Sequence, residues 1–200
     1  LSFAAGVMSF LSIIDLIPEA FFHFKTRFFE VPAVIMILIF FLIGMMLSKL
    51  FDKVVPDEKD SLFKVGIISM LAIIMHNMPE GIVTFITTNN HFRLGLTLTI
   101  AIALHNIPEG ISIALPIYYS TKSRKKAFLY TFVAALAEPF GALIAYLFLA
   151  PLVTPFFLGA LFSLIAGIMF HIALIKLLPQ SFKYNKKVIS WLFFIGGIIF

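Results

Sequence analysis

The 200-residue sequence contains no cysteine, so disulfides and thiolate metal sites are excluded. Charge is also scarce. Asp, Glu, Lys and Arg make up 12% of the chain, about half the share of a soluble domain. No cleavable signal peptide is visible, and the chain opens on Leu1, which suggests a trimmed start. No HExxH stretch occurs, so the commonest signature of a zinc-dependent hydrolase is missing. What remains is apolar: 61% of residues are hydrophobic, Phe alone occurs 25 times, and the mean hydropathy is +1.06. This composition places the chain in the membrane class. The net charge of +5 does not indicate nucleic-acid binding, because the basic residues sit in short loops between apolar runs.

A spanning helix needs roughly 20 apolar residues. The sequence offers runs over 1–22, 31–51, 62–88, 94–119, 127–150 and 155–182, and a shorter one over 188–200 that is too short to cross by itself. Strands of a membrane barrel would alternate polar and apolar residues, whereas these runs are continuous, so the expected fold is all-α, a polytopic integral-membrane helix bundle forming a single domain over 1–200. The loops alternate in charge. Lys49, Lys53, Lys59, Lys64, Lys122, Arg124, Lys125, Lys126, Lys183, Lys186 and Lys187 fall on one face, and only Lys25, Arg27 and Arg93 on the other. The Lys/Arg-rich face is expected to be cytoplasmic, with Leu1 starting inside.

Two internal repeats stand out. "HNMPEG", His76 to Gly81, recurs as "HNIPEG", His105 to Gly110, on the next run. Ala4 to Phe21 also pairs without gaps with Ile165 to Phe182, matching Ala5, Gly6, Met8, Leu16, Pro18 and Phe21 to Ala166, Gly167, Met169, Leu177, Pro179 and Phe182. By the order of the runs, the members of each pair point in opposite directions. Nested inverted repeats are the signature of a transporter with a pseudo-twofold axis in the membrane plane.

The repeated motif is chemically unusual for lipid. His76 and Glu80 are four residues apart and share a helix face, with Asn77 about 100° away. Pro79 leaves the carbonyl of Met75 without its helical donor, and Pro108 does the same to Leu104. An ionised carboxylate in hydrocarbon costs about 3 kcal/mol on insertion scales. Side by side, Glu80 and Glu109 must therefore hold protons or share a cation. The imidazoles favour a cation, and imidazole with carboxylate suits divalent zinc, iron, manganese, cobalt or cadmium. A third intramembrane acid, Glu138, precedes Pro139 in "ALAEPFGA". Asn77 and Asn106 could instead join helices, and Glu138 could be a buried proton carrier. His171 has no carboxylate four residues away, which favours packing. His23 and His91 fall in outward loops and are expected to be solvated. Asp15 and Glu19, around Pro18, are candidates for an inlet path or for simple headgroup contact.

These residues resemble the ZIP (Zrt-, Irt-like) family of divalent-metal transporters, and its bacterial zinc-uptake branch most closely. The resemblance rests on HNxPEG in two consecutive runs followed by AEPFGA in the next, and it covers nearly the whole chain. It implies eight spans in the full fold, with both ends outside, so that this chain lacks the first helix and part of the last. It also implies a binuclear centre: His76, Glu80, His105 and Glu109 as ligands, the two glutamates shared between ions, and Asn77, Asn106 and Glu138 completing the shell of the second ion. Metal would move into the cytoplasm as one helix bundle slides or rocks against another. Two departures are visible. The loop from Lys49 to Lys64 has no histidine, and "IKLLP" places Lys176 where relatives usually carry an acid near the exit, a path that would include His171. The expectation is zinc import, with no enzyme activity and no cofactor, the metal being cargo. The expected partners are divalent metal ions and the lipid bilayer of a bacterial plasma membrane. A homodimer is left open. The alternatives are a proton-coupled carrier of an organic solute and an intramembrane metallohydrolase.

Overall fold

The computed structural model describes residues 1–54, 61–90, 92–149, 154–184 and 187–199; a few side chains within the helices, His105 among them, also lie outside that description. The described residues form helices and no strand. In chain order these are α1 (Ser2–Phe10), α2 (Ile17–Lys25), α3 (Glu30–Val54), α4 (Ser61–Asn90), α5 (Phe92–Thr121), α6 (Arg124–Ala135), α7 (Ala137–Ile144), α8 (Pro155–His171), α9 (Leu178–Tyr184) and α10 (Lys187–Ile199). π-helical turns over Leu11–Leu16, Ala145–Leu149 and Ile172–Leu177 keep α1 with α2, extend α7, and keep α8 with α9. Among the described residues five stretches are long and apolar enough to cross a membrane: Ser2–Lys25, Glu30–Leu50, Leu62–Ile82, Arg124–Phe148 and Pro155–Lys183.

Local chemistry sets the ends. Ser123 caps α6 by accepting from the Lys126 amide at 3.3 Å, after Lys122 turns the chain with φ 54°. Thr154 caps α8 by accepting from Phe157 N at 3.2 Å, with Pro155 in the first turn, where a missing N–H costs nothing. Lys25 Nζ reaches Glu30 at 2.9 Å and ties the end of α2 to the start of α3. His23 corrects the sequence reading. It lies in α2, not in a loop, and stacks on Phe162 with ring centroids 5.6 Å apart. The apolar run simply continues helically for one more turn beyond Phe22.

The chain divides into two compact units, Leu1–Pro56 with Val153–Phe200, and Asp57–Leu152. In the first, α1 packs on α10 and α3 on α8. A cluster of Phe24, Phe28, Phe40 and Phe156 fills one end, Phe24 being fully buried.

The helix pairs of this unit are built twice. A Cβ added to Gly6 would collide with the carbonyl of Phe194, and one added to Gly167 with the carbonyl of Phe41. Gly6 and Gly167 are partners in the sequence repeat. Conversely, Gly197 meets the carbonyl of Phe3 and Gly44 that of Leu164, and Phe3 and Leu164 occupy matched positions when the repeat is extended by one residue. The π-helical turns obey the same pairing, Leu11 standing opposite Ile172 and Leu16 opposite Leu177. Each turn ends two residues before a proline, Pro18 or Pro179, whose ring would press on the carbonyl four residues back; widening the helix relieves that clash. The sequence repeat is therefore also a repeat of backbone shape and of contacts.

In lipid, helices gain little from hydrophobic association, so glycine contacts of this kind carry much of the packing. Gly167→Val should lower unfolding stability in detergent by about 1–3 kcal/mol. Gly196→Ala, whose added Cβ meets nothing within 4 Å among the described residues, should leave it nearly unchanged. Denaturant titration of both variants checks the contrast.

Candidate metal centre

The second unit brings the two HNxPEG segments and Glu138 together. α4 and α5 follow one another almost directly and pack along each other, so they run antiparallel. Both continue helically through their prolines, Pro79 and Pro108. α4 also packs on α6 and α7. The α4–α7 crossing is a backbone contact: a Cβ on Gly81 would strike the carbonyl of Glu138, and a Cβ on Gly141 that of Met78. The last glycine of HNMPEG and the glycine of AEPFGA thus set the distance between the two motifs. Gly110, its equivalent in the second copy, has among the described residues only the methyl of Thr131 nearby, at 3.3 Å, so the repeat is closer in sequence than in packing. Pro139 puts a bend between α6 and α7 at Leu136, across which the backbone bonds Leu136 N to Phe132 O and Phe140 N to Leu136 O persist at 3.0 and 3.1 Å. An apolar floor of Ile73, Ile113, Ile117, Ala127 and Ala134 underlies the site.

At the centre, His76 Nε2 stands 3.5 Å from Glu80 Oε1 and 3.5 Å from Glu109 Oε1. His76 is 3% exposed and Glu109 1%. The spacing is informative. It is longer than an N–H···O bond, which is about 2.7–3.2 Å. Around a tetrahedral zinc with ligands at about 2.0–2.2 Å, the ligand atoms stand about 3.3–3.6 Å apart. The two separations from the imidazole nitrogen to the carboxylate oxygens match the edge length of such a polyhedron. Among the described residues no group of three or more His, Asp or Glu side chains is placed to hold a metal ion by itself, so a bound ion would draw on further donors.

Two neighbours offer them. Asn106 Nδ2 donates to Glu138 Oε2 at 3.0 Å, joining α5 to the AEPFGA helix. The side-chain oxygens of Asn77 and Asn106 are buried without a hydrogen-bond partner among the described residues. Asn77 is therefore not held as helix glue through its oxygen. His105 lies on α5, but its side chain is outside the described residues, as is His91 altogether.

The other sequence candidates belong to the first unit. Asp15 lies in the π-helical turn after α1 and Glu19 in α2, both exposed. His171 Nδ1 and Ser48 Oγ are 2.9 Å apart, both buried, so the expected packing role includes a polar contact between α8 and α3. No local pattern pointed to Ser48, because its partner lies 123 positions away. Lys176 is half-buried in the π-helical turn after α8.

Comparison with known proteins gives the family. The sequence profile described as "ZIP Zinc transporter" matches residues 57–200. The chain belongs to the ZIP zinc transporter family. Curated ZIP relatives match it end to end. The "Zinc transporter ZupT" of Chlorobaculum parvum is 37% identical over all of this chain and 80% of its own length. That of Streptococcus mutans is 36% identical over all of the chain and 81% of its own length, and that of Oceanobacillus iheyensis 39% over 99% and 81%. ZIP proteins are transporters and not enzymes, and this ZIP chain is an integral membrane protein.

The Asn106–Glu138 contact carries its own prediction. Asn106→Asp removes the donor and sets a second carboxylate against Glu138. It should lower the stability of the metal-free protein by about 1–3 kcal/mol, and added zinc should recover the loss. Asn106→Leu should lose a similar amount that zinc does not recover. Thermal unfolding in detergent, with chelator and with zinc, reads both.

Proposed function

We propose that this protein carries divalent transition-metal ions, zinc first, across the plasma membrane into the cytoplasm through a binuclear centre on α4, α5 and α7. The observation that carries the reading is the placement of Glu80 Oε1 and Glu109 Oε1, from two antiparallel helices, each 3.5 Å from one imidazole nitrogen in a buried segment. His76, Glu80 and Glu109 supply ligands to the first ion, with His105 as the sequence equivalent of His76. Asn77, Asn106 and Glu138 supply oxygens to the second. The shared glutamates neutralise charge between the ions. A cation offsets the cost of burying both carboxylates, which explains why a lipid-embedded helix pair keeps them. The relatives named as zinc transporters support the choice of cargo.

Direction follows from the charge of the loops. Eleven basic residues on one face against three on the other support a cytoplasmic location for the Lys/Arg-rich loops, including those after α3 and α5. Metal then binds from the outer side, exchanges water for imidazole and carboxylate, and leaves on the inner side after a conformational switch. The acids Asp15 and Glu19 serve the outer mouth. His171 and Lys176 are assigned to the exit path, where the cation of Lys176 would repel leaving metal unless its long side chain carries the charge to the headgroups.

Replacing Glu80 and Glu109 together by alanine should abolish uptake of radioactive zinc by cells expressing the full-length protein. Undiminished uptake by a well-expressed double variant would sink the proposal.

A further inference from the structure

The polar face of α4 does not stop at the metal centre. Buried or half-buried hydroxyls in this protein are usually turned back onto their own helix. Ser9, Ser12, Thr88, Thr99, Thr131 and Ser163 each donate to the carbonyl four residues earlier, at 2.7–2.9 Å. Three hydroxyls, Ser69, Thr84 and Ser190, are buried without a hydrogen-bond partner among the described residues. Ser190 shares its face of α10 with Phe194 and Gly197, an apolar helix contact. The other two lie on α4, on either side of the HNMPEG segment.

Their register is that of the site. Ser69 precedes His76 by seven residues, which returns it to within about 20° of the histidine around the helix. Thr84 follows Glu80 by four, one turn on. Between them, the oxygen of Asn77 also lacks a partner. From Ser69 to Thr84 the file covers about 22 Å of helix, against about 30 Å of hydrocarbon. Ser69 has no exposed surface at all. A hydroxyl sealed in an apolar interior and not bonded to its own backbone is unfavourable unless something else meets it. Alanine would fill the same place without that penalty.

We propose that Ser69 is a further, weak binding station for the transported divalent cation, about 10 Å along α4 from His76, toward the Lys-rich end of the helix. The proposal rests on the transport reading above. A neutral hydroxyl oxygen can ligate a divalent ion or accept a hydrogen bond from its hydration water, but it contributes no charge. Such a station steadies the ion as it leaves imidazole and carboxylate, and it lets go quickly. Conduction needs sites strong enough to be occupied and weak enough to be vacated. Thr84 continues the file on the other side of the centre. In sequence, the residue seven before His105 is Leu98, so the second copy of the motif carries no hydroxyl matching Ser69 and the station belongs to α4.

These 200 residues hold no cysteine, so Ser69→Cys introduces a thiol where this chain has none, and any cysteine elsewhere in the full-length protein is replaced by serine first. The full-length protein is reconstituted in vesicles. Labelling of S69C by a cationic methanethiosulfonate reagent is followed with and without zinc, and zinc transport is measured for S69A and S69T. S69C should react in the folded protein and be protected by zinc. S69A should lower the maximal transport rate roughly three- to tenfold without changing zinc affinity at the central site, and S69T should restore it. A thiol that reacts only after unfolding, or an S69A protein transporting at the wild-type rate, overturns the proposal. The Glu80, Glu109 double variant is run alongside. If it still transports, the central-site reading fails. If it is dead while S69A is normal, only the Ser69 station fails.

Discussion

Two carboxylates and an imidazole share a few ångströms inside a segment that otherwise belongs to hydrocarbon, and the surrounding unit is shaped to hold them there. His76 Nε2 at 3.5 Å from both Glu80 and Glu109 is too far for a hydrogen bond and about right for a common cation. Because the atoms come from consecutive antiparallel helices, their distance depends on how α4 and α5 pack. Because more donors are needed, it also depends on how close α7 can come. The prolines loosen the backbone beside each motif, and the glycines remove the side chains that would hold the helices apart.

Close approach recurs in this protein as a principle of construction. The α4–α7 crossing places Gly81 and Gly141 against each other's backbone carbonyls, and that contact delivers Glu138 to Asn106. In the other unit the α1–α10 and α3–α8 pairs use the same device, with matched glycines and matched carbonyls. Membrane helices lack the hydrophobic drive that welds soluble cores, so surface shape and polar contacts must replace it. The π-helical turns at Leu11–Leu16 and Ile172–Leu177 belong to the same repeated design, each placed before a proline that an ideal helix would resist.

Much of this was legible in the residues. Continuous apolar runs gave helices, and HNxPEG with AEPFGA gave the donor set proposed for the metal. The gapless pairing of Ala4–Phe21 with Ile165–Phe182 has its counterpart in the matched π-helical turns, each placed just before a proline. His23 was misplaced because a run of apolar letters ends before its helix does: polar residues at a helix end look like a loop. Ser48 and Ser69 went unremarked for different reasons. The contact between Ser48 and His171 joins residues remote in sequence. Ser69 was in plain register with His76, yet a lone serine in an apolar helix ordinarily bonds its own backbone, and only the observed side chain shows that it does not.

The sequence by itself determined the class of protein, the chemistry of the donors and the inverted repetition, since hydropathy, residue type and periodicity are local properties that survive in one dimension. Tertiary structure alone decided which donors meet. It set Glu109 beside His76, gave Asn106 to Glu138, and closed Gly81 on its neighbour while leaving Gly110 nearly bare, although the two glycines end the same motif. Those distances depend on how one helix surface fits another, and shape complementarity between remote segments leaves no mark in the order of residues along either.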